Sequence, residues 1–387
     1  MNFVYLSPHF PPNYRLFCIR LREEGVNVLG LADAPHESLP PDLRDALTEY
    51  YRADSMESYD SLLRALGHFT HRHGKIDRID SLNEHWLETE ARLRTDFNVP
   101  GIREDGIGRV KRKSSMKEVY RSAGVRVARG AVVRTPEEAR RLVAETGYPV
   151  VAKPDIGVGA FATFRIDDDA RLAAFFAAKP PADYIVEEFV RGRIFSFDGL
   201  ADRDGEIVFH TAHAYSKGIM ETVNEDDHVY YYSLREIPAD LEEAGRRTVR
   251  AFDVRERFFH LEFFRDERDG GITALEVNMR PPGGLTTDMF NYANDIDIYR
   301  EWARLVAHGR FTASWSRPYH CAYVGRKTSK RYAVPHEELL RELSPLVCHH
   351  ERIDSVFRAA IGDYGYLLRS AELDEILSAA NRIHRTE

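Results

Sequence analysis

The sequence predicts a mixed α/β and α+β protein, with a parallel-sheet unit followed by antiparallel sheet. Three observations carry this. Over the first hundred residues short apolar runs alternate with helical patterns, the rhythm of βαβ units and a mostly parallel sheet. From 184 to 278 strand-like runs follow one another with one helix among them, near 239–251, as in an antiparallel sheet flanked by helices. Between these regions lies a segment with its own helix-capping signal and glycine-containing loop.

The N-terminal unit, residues 1–100, reads as FVYL (3–6), a helix near 14–24, VNVLGLA (26–32), a helix near 58–73 and IDRIDSL (76–82). The loop SPHFPPN (7–13) leaves the first strand where open α/β sheets place ligands, and Pro8, Pro11 and Pro12 are read as stiffening a turn. Glu84 and His85 are read as capping a helix before Trp86, with a substrate crevice as the alternative role. VPGI, near residue 98, breaks the pattern, and the basic stretch RVKRKSSMKEVYR (109–121) opens a second unit, 101–182. There Thr135 begins TPEE, a capping box with Pro136 at the first helical position and Glu138 reaching back, and Gly147 stops the helix. YPVVAKP (148–154), the loop IGVGA (156–160) and TFRI (163–166) make an antiparallel hairpin under which a phosphate could lie. The third unit, 183–310, holds the strands YIVEEFV, IFSFDGL, EIVFHTAHA, VYYYSL, FHLEFF and ITALEVN. Residues 311–387, including GRKTSKR (325–331), are expected to return a helix and strands to the body.

At 387 residues the chain can build two or three packed domains, and 43% hydrophobic content is ordinary for a globular protein. A formal net charge of -8 excludes a general attraction to nucleic acid or to acidic membrane surfaces, which leaves small molecules as the expected partners. Cys18, Cys321 and Cys348 are far apart and lack metal-ligand spacing, so neither a disulfide framework nor a zinc site is expected. The N-terminus lacks a basic stretch before a long apolar run, and no apolar segment approaches the roughly 20 residues of a membrane span. A soluble, cytoplasmic protein is the expectation.

The segment HLEFFRDERDGGITALEVNMRPPGG (260–284) carries the most chemistry. Side chains alternate along a strand, so Glu276, Asn278 and Arg280 share a face, and the turn RDERDGG (265–271) brings Glu262 beside it. Two carboxylates and an amide are oxygen ligands of the kind Mg²⁺ accepts, while Arg280 can meet a carboxylate or a developing phosphoryl charge. The alternative is a surface ion-pair ladder across a hairpin. Lys153 closes an apolar strand beside the loop of Gly157 and Gly159, Glu187 and Glu188 end another, and Lys113 offers a second cation.

This ordered set, Lys113, VVAKP with its glycine loop, VEEFV, Glu262 and EVNMR, resembles the ATP-grasp superfamily over roughly residues 100–310. The resemblance implies an ATP-grasp fold with an N-terminal Rossmann-like (pre-ATP-grasp) parallel-sheet domain, a lid subdomain over 101–182 and a large subdomain over 183–310. It implies ATP as the nucleotide, bound by Lys113, Lys153, Gly157, Gly159, Glu187, Glu188 and Val190, with Glu187 as the hinge acid at adenine. Mg²⁺ (or Mn²⁺) would be held by Glu262, Glu276 and Asn278. Arg280 would act near the acyl phosphate, and Lys217, in the loop SKGIMETVNEDDH (216–228), resembles a mobile-loop lysine over the γ-phosphate, with a solvated surface lysine as the alternative. Many members carry a ribose-binding glutamate seven positions past the hinge acid, where this chain has Ile194; Asp198 is a candidate replacement but is read as a turn residue of FDGL.

RPPGG (280–284) is most similar to carboxylate-amine ligases of biotin carboxylase-like fold, in which the arginine and following glycines bind the carboxylate being activated; here that means Arg280, Gly283 and Gly284. The implied activity is an ADP-forming ligation of a carboxylate to an amine through an acyl phosphate, with Arg280 and Lys217 as catalytic candidates. Two alternatives stand beside it, a biotin carboxylase-like carboxylation and a non-catalytic ATP-binding regulator. The resemblance also allows a homodimer. His349 and His350 are adjacent on a strand, so they point to opposite faces and are not a joint metal pair.

Overall fold

The computed structural model describes residues 1–157, 162–218, 222 and 226–387, and among these the strands form three sheets. The first is parallel, in the order β3-β2-β1-β4, built from β1 (Asn2–Leu6), β2 (Asn27–Ala32), β3 (Glu49–Arg52) and β4 (Arg78–Asp80). β1 is buried along its whole length, as a strand covered on both faces must be. Phe3 and Tyr5 meet Phe17 and Leu21 of the helix Arg15–Glu23, while Val4 and Leu6 meet Leu62, Leu66 and Phe69 of the helix Tyr59–His73.

The second sheet is small and antiparallel, in the order β5-β8-β6-β7, from β5 (Gly130–Val133), β6 (Val150–Pro154), β7 (Phe164–Ile166) and β8 (Tyr184–Glu188). The helices Pro136–Thr146 and Asp169–Ala178 back it through Ala139, Leu172 and Phe175. The Thr135 and Glu138 capping box is present in both directions, and Gly147 follows the helix with φ 76°. One grouping made from the sequence is corrected: YIVEE, read with the antiparallel run of 184–278, pairs with β5 and β6. Strand character follows from the apolar run, but its pairing is set by tertiary contacts with residues 30 or more positions away.

The third sheet has eight strands in the order β13-β12-β9-β10-β11-β14-β16-β15. Its members are β9 (Gly192–Ala201), β10 (Ile207–Tyr215), β11 (Tyr230–Ser233), β12 (Arg257–Asp266), β13 (Ile272–Asn278), β14 (His320–Arg326), β15 (Val347–Arg352) and β16 (Tyr364–Ser370). The helix Ala239–Ala251 packs on it through Leu241 and Val249. Gly245 lets that helix approach, since a Cβ there would stand 2.3 Å from the Phe197 ring. The expected hairpin forms as β12 and β13, with Glu262 opposite Glu276. The returning C-terminal strands extend the sheet beyond β11, through β14, β16 and β15. No helix of the described residues is long and apolar enough to cross a membrane.

Candidate active site

A cavity of about 590 Å³ lies between the small sheet and the large one, lined by Lys113, Lys153, Glu187, Glu262, Glu276 and Arg280 among others. The cations reach it by local geometry. Lys113 and Lys117 stand four residues apart on the helix Lys113–Ser122 and therefore share a face. Asp155, just past β6, fixes that helix start: its carboxylate accepts from the Ser114 backbone N–H at 2.8 Å and from Ser114 Oγ at 3.0 Å, and its carbonyl accepts from the Lys113 N–H at 2.8 Å. The strand that ends in Lys153 is thereby tied to the helix that carries the other two lysines.

Glu187 in β8 sits between two ammonium groups, with Lys153 Nζ 2.5 Å from Oε1 and Lys117 Nζ 2.6 Å from Oε2. Burial alone would raise its carboxyl, but Lys117 and Lys153 hold it down at about 2. Burial opposes the charged form of both lysines: it prevails at Lys117, whose ammonium is lowered, and Glu187 outweighs it at Lys153, which is raised. Lys113 Nζ lies 3.0 Å from Glu276 Oε1 and donates to the Gly157 carbonyl at 3.2 Å. Lys117 is a site residue the sequence reading missed, although its i+4 spacing from Lys113 was the signal for it.

Across β12 and β13, Glu262 opposes Glu276 and His260 opposes Asn278, so all four side chains share one face. Like charges directly opposite destabilise a sheet unless a cation compensates. Glu276 has Lys113, and Glu262 has His260, whose Nε2 is 3.1 Å from Oε1. Behind His260 stands Asp198, and here the turn reading is corrected: Asp198 is fully buried in the middle of β9, out of reach of a ribose. It accepts from His260 Nδ1 at 2.5 Å, His213 Nδ1 at 2.7 Å and Ser196 Oγ at 2.5 Å. Burial disfavours both charged forms, yet Asp198 and Glu262 raise His260 to about 9, and the Asp198 carboxyl falls far below its usual range. A charged imidazolium thus orients Glu262 from behind.

Among the described residues no three His, Cys, Asp or Glu side chains form a complete metal cage. The donors fit Mg²⁺ in another way: two facing carboxylates, both lining the cavity, and one amide oxygen leave the rest of the shell to phosphate oxygens and water. Asn278 is buried one pleat further on, its Oδ1 3.4 Å from Arg280 Nη2.

Arg280 lines the cavity where β13 gives way to Pro281 and Pro282, with Nε 3.5 Å from Glu84 Oε2. Glu84 is corrected as well: Asn83 caps the short helix, while Glu84 is buried and pairs with Lys111 at 2.8 Å. Gly283 and Gly284 line the cavity, and Gly284 has φ 63°. Asn13, from the proline loop after β1, donates to the Gly284 carbonyl at 3.3 Å and to Asp288 at 2.9 Å, so that loop touches the site.

The remaining predicted residues are distributed as follows. Glu188 and Val190 line the cavity, with the Glu188 carboxylate held by Arg129 at 2.9 Å. Gly157 reaches it through its carbonyl contact with Lys113, while Gly159 lies outside the described residues. Lys217 pairs with Asp227 within its own loop, and its neighbour Gly218 lines the cavity. Ile194 lines the cavity without offering an acceptor, and Glu267 and Arg191 line it too. His349 bonds to Glu351 and His350 to Tyr364, in separate contacts.

Residues 146–288 match the model of the ATP-grasp domain. The carbamoyl phosphate synthase large chain of Mycobacterium sp. (strain JLS) is 23% identical over 294 residues, 68% of this chain and 25% of that one. The L-arginine-specific L-amino acid ligase of Bacillus subtilis is 24% identical over 235 residues, 58% of this chain and 56% of that one. The chain thus spans between a quarter and just over half of the length of these relatives. Among solved structures, L-amino acid ligase from Bacillus licheniformis superposes with a TM-score of 0.73 at 14% identity, covering 99% of this chain and 96% of that one. The biotin carboxylase domain of Hydrogenobacter thermophilus 2-oxoglutarate carboxylase, in complex with MgADP, ADP and bicarbonate, gives 0.71 at 17%, covering 97% and 89%. The chain has the ATP-grasp fold, and residues 146–288 are the part that matches the ATP-grasp domain model.

Proposed function

We propose that the protein is an ADP-forming ligase that activates a carboxylate with ATP and joins it to an amine. The observation that carries this is the meeting in one cavity of Lys113 and Lys153, the facing Glu262 and Glu276, and the Arg280 to Gly284 segment. Lys113, Lys117 and Lys153 would neutralise the triphosphate, with Glu187 ordering two of them; Gly157, Gly159, Glu188 and Val190 would complete the nucleotide site. The acid that Ile194 does not supply to ribose is assigned to Glu267. Glu262, Glu276 and Asn278 would hold magnesium, which supplies charge neutralisation at the phosphate oxygens.

Arg280, with the backbone of Gly283 and Gly284, would orient the substrate carboxylate. One carboxylate oxygen attacks the γ-phosphorus and ADP leaves; the amine then attacks the acyl carbon, loses a proton, and inorganic phosphate leaves. Positioning and charge neutralisation suffice for this chemistry, so no protein nucleophile is required. Lys217 is proposed to cover the γ-phosphate from its loop. The domain division is proposed as read from the sequence, with the boundary at 183 moved past Glu188 because β8 belongs to the small sheet. A homodimer is proposed by analogy with the biotin carboxylase domain dimer and is checked by light scattering, where a monomer at working concentration rejects it.

The test is ADP release across carboxylates with and without amines. Turnover that needs both supports the ligase; turnover that needs bicarbonate and biotin supports the carboxylase; nucleotide binding with no turnover supports the regulator.

A further inference from the structure

Beyond Arg280 and the glycine pair the cavity continues into a chamber of different character. Its walls come from Pro282 to Thr286 and from the C-terminal segment 355–361, and the lining residues from these two stretches carry no charge. Phe357 lies over Gly283, its Cε1 3.9 Å from where a Cβ would stand, and Ile361 Cδ1 would be 2.7 Å from a Cβ on Gly284. The backbone that would receive the carboxylate is therefore roofed directly by two apolar side chains.

The roof is held in place. Phe10 of the proline loop stacks on Phe357 with centroids 5.9 Å apart and planes 7° from parallel. Tyr323 donates from its hydroxyl to the Ile361 carbonyl at 3.0 Å, and Gly325 admits that carbonyl where a Cβ would lie 1.9 Å from it. The opposite wall is Tyr231, stacked between Tyr215 and Tyr323 at 5.0 and 5.2 Å. Its hydroxyl is committed to Thr286 Oγ1 at 2.8 Å and both its faces are covered, so what it turns to the cavity is an apolar ring edge. A charged or strongly polar group entering here would lose its hydration and meet no counterpart on these two stretches, whereas an aliphatic or aromatic group would gain contact.

We propose, building on the ligase reading above, that the carboxylate substrate bears a branched-aliphatic or aromatic group, which fills the chamber between Phe357, Ile361 and Tyr231. Hydrophobic amino acids and the corresponding acids without an amino group share this chemistry, and the experiment separates them.

The full chain is assayed for ADP release with ATP and Mg²⁺, using hydroxylamine to trap the activated acyl group as a hydroxamate. The acids are leucine, phenylalanine, 4-methylpentanoate, 3-phenylpropanoate, aspartate, glutamate, lysine, arginine and bicarbonate. The expected result is a kcat/KM for the apolar acids at least about tenfold above the charged ones, the discrimination a hydrophobic pocket supplies. Preference for leucine and phenylalanine over their deaminated counterparts, or the reverse, identifies the source. ADP release led by charged acids or bicarbonate overturns this inference and leaves the ligase reading standing; release with none of them overturns both. Phe357→Ala is expected to raise KM for the preferred acid about tenfold with ADP affinity unchanged. An unaltered ratio of apolar to charged acids in that variant overturns the assignment of the chamber.

Discussion

Two of the buried charge clusters in this molecule differ in kind, and one of them reads as a reaction site. At the junction of the parallel sheet and the large sheet, Asp80, Glu90, Arg94 and Arg257 are nearly or fully buried. Their polar atoms are spent on one another and on backbone: Arg94 donates to the carbonyls of Ile79 and Ile102, and Arg257 to that of Met279. In the cleft, Glu262 and Glu276 face each other along an open cavity, each in one ion pair among the described residues, with His260 and Lys113 respectively. Access does not separate the two, since Asp80, Arg94 and Arg257 also line a cavity, of about 650 Å³; the difference teaches that buried charge marks a site only where donors and acceptors retain capacity for a ligand.

The comparison can be broken most severely at the first cluster. Arg94→Leu leaves Glu90 and Asp80 short of a cation and is expected to cost about 3–5 kcal/mol in urea unfolding; a cost below about 1 kcal/mol would show the cluster to be dispensable. Glu187, inside the cleft but with both oxygens paired, should behave like that first cluster. Its folded value of about 2 lies below the ordinary 4.5, so its contribution is present above pH 4.5 and is lost as pH falls toward about 2. The stability gap between wild type and Glu187→Gln should therefore shrink across that window, by on the order of 3 kcal/mol; a pH-independent gap contradicts it.

For the open cluster the expectation is reversed. Glu276→Gln should lower ADP release by about 100-fold or more with a smaller loss of stability than Arg94→Leu, because removal of the facing like charge offsets part of the cost of leaving Lys113 without its partner. A large loss of stability with activity kept would reject the metal assignment. Asp198→Asn acts one step back and should weaken Mg²⁺ affinity about 10–100-fold, with activity restored at high Mg²⁺; equal loss at all Mg²⁺ concentrations would mean a folding defect. Smallest of all, Glu267→Ala is expected to raise KM for ATP roughly tenfold, the low end, about 1.5 kcal/mol, for one hydrogen bond to a charged group, and an unchanged KM removes it from the ribose site.

Much of this was legible without coordinates, for identifiable reasons. NFVYL and VVAKP are continuous apolar runs, and TPEE is a capping signal, all of which depend on local physics. EYYR, which became β3, is four residues long and nowhere buried, so no pattern exposed it. The hairpin of Glu262 and Glu276 could be read because its turn is short. Asp198 could not, because its neighbours His213 and His260 come from two other strands, 15 and 62 residues away. Phe357 and Ile361 were beyond sequence reasoning for the same cause: nothing local to them says that a glycine pair over seventy residues earlier lies beneath.

The order of strands in the large sheet has a consequence for biosynthesis. β14 pairs with β11, whose own sequence neighbours lie on its other side, β16 pairs with β14, and β15 takes the edge. While the chain leaves the ribosome strands β12 and β13 can already pair, yet the roof over the glycine pair waits for residues 355–361. A nascent chain would thus bring Glu262 opposite Glu276 before the chamber above Gly283 and Gly284 could close.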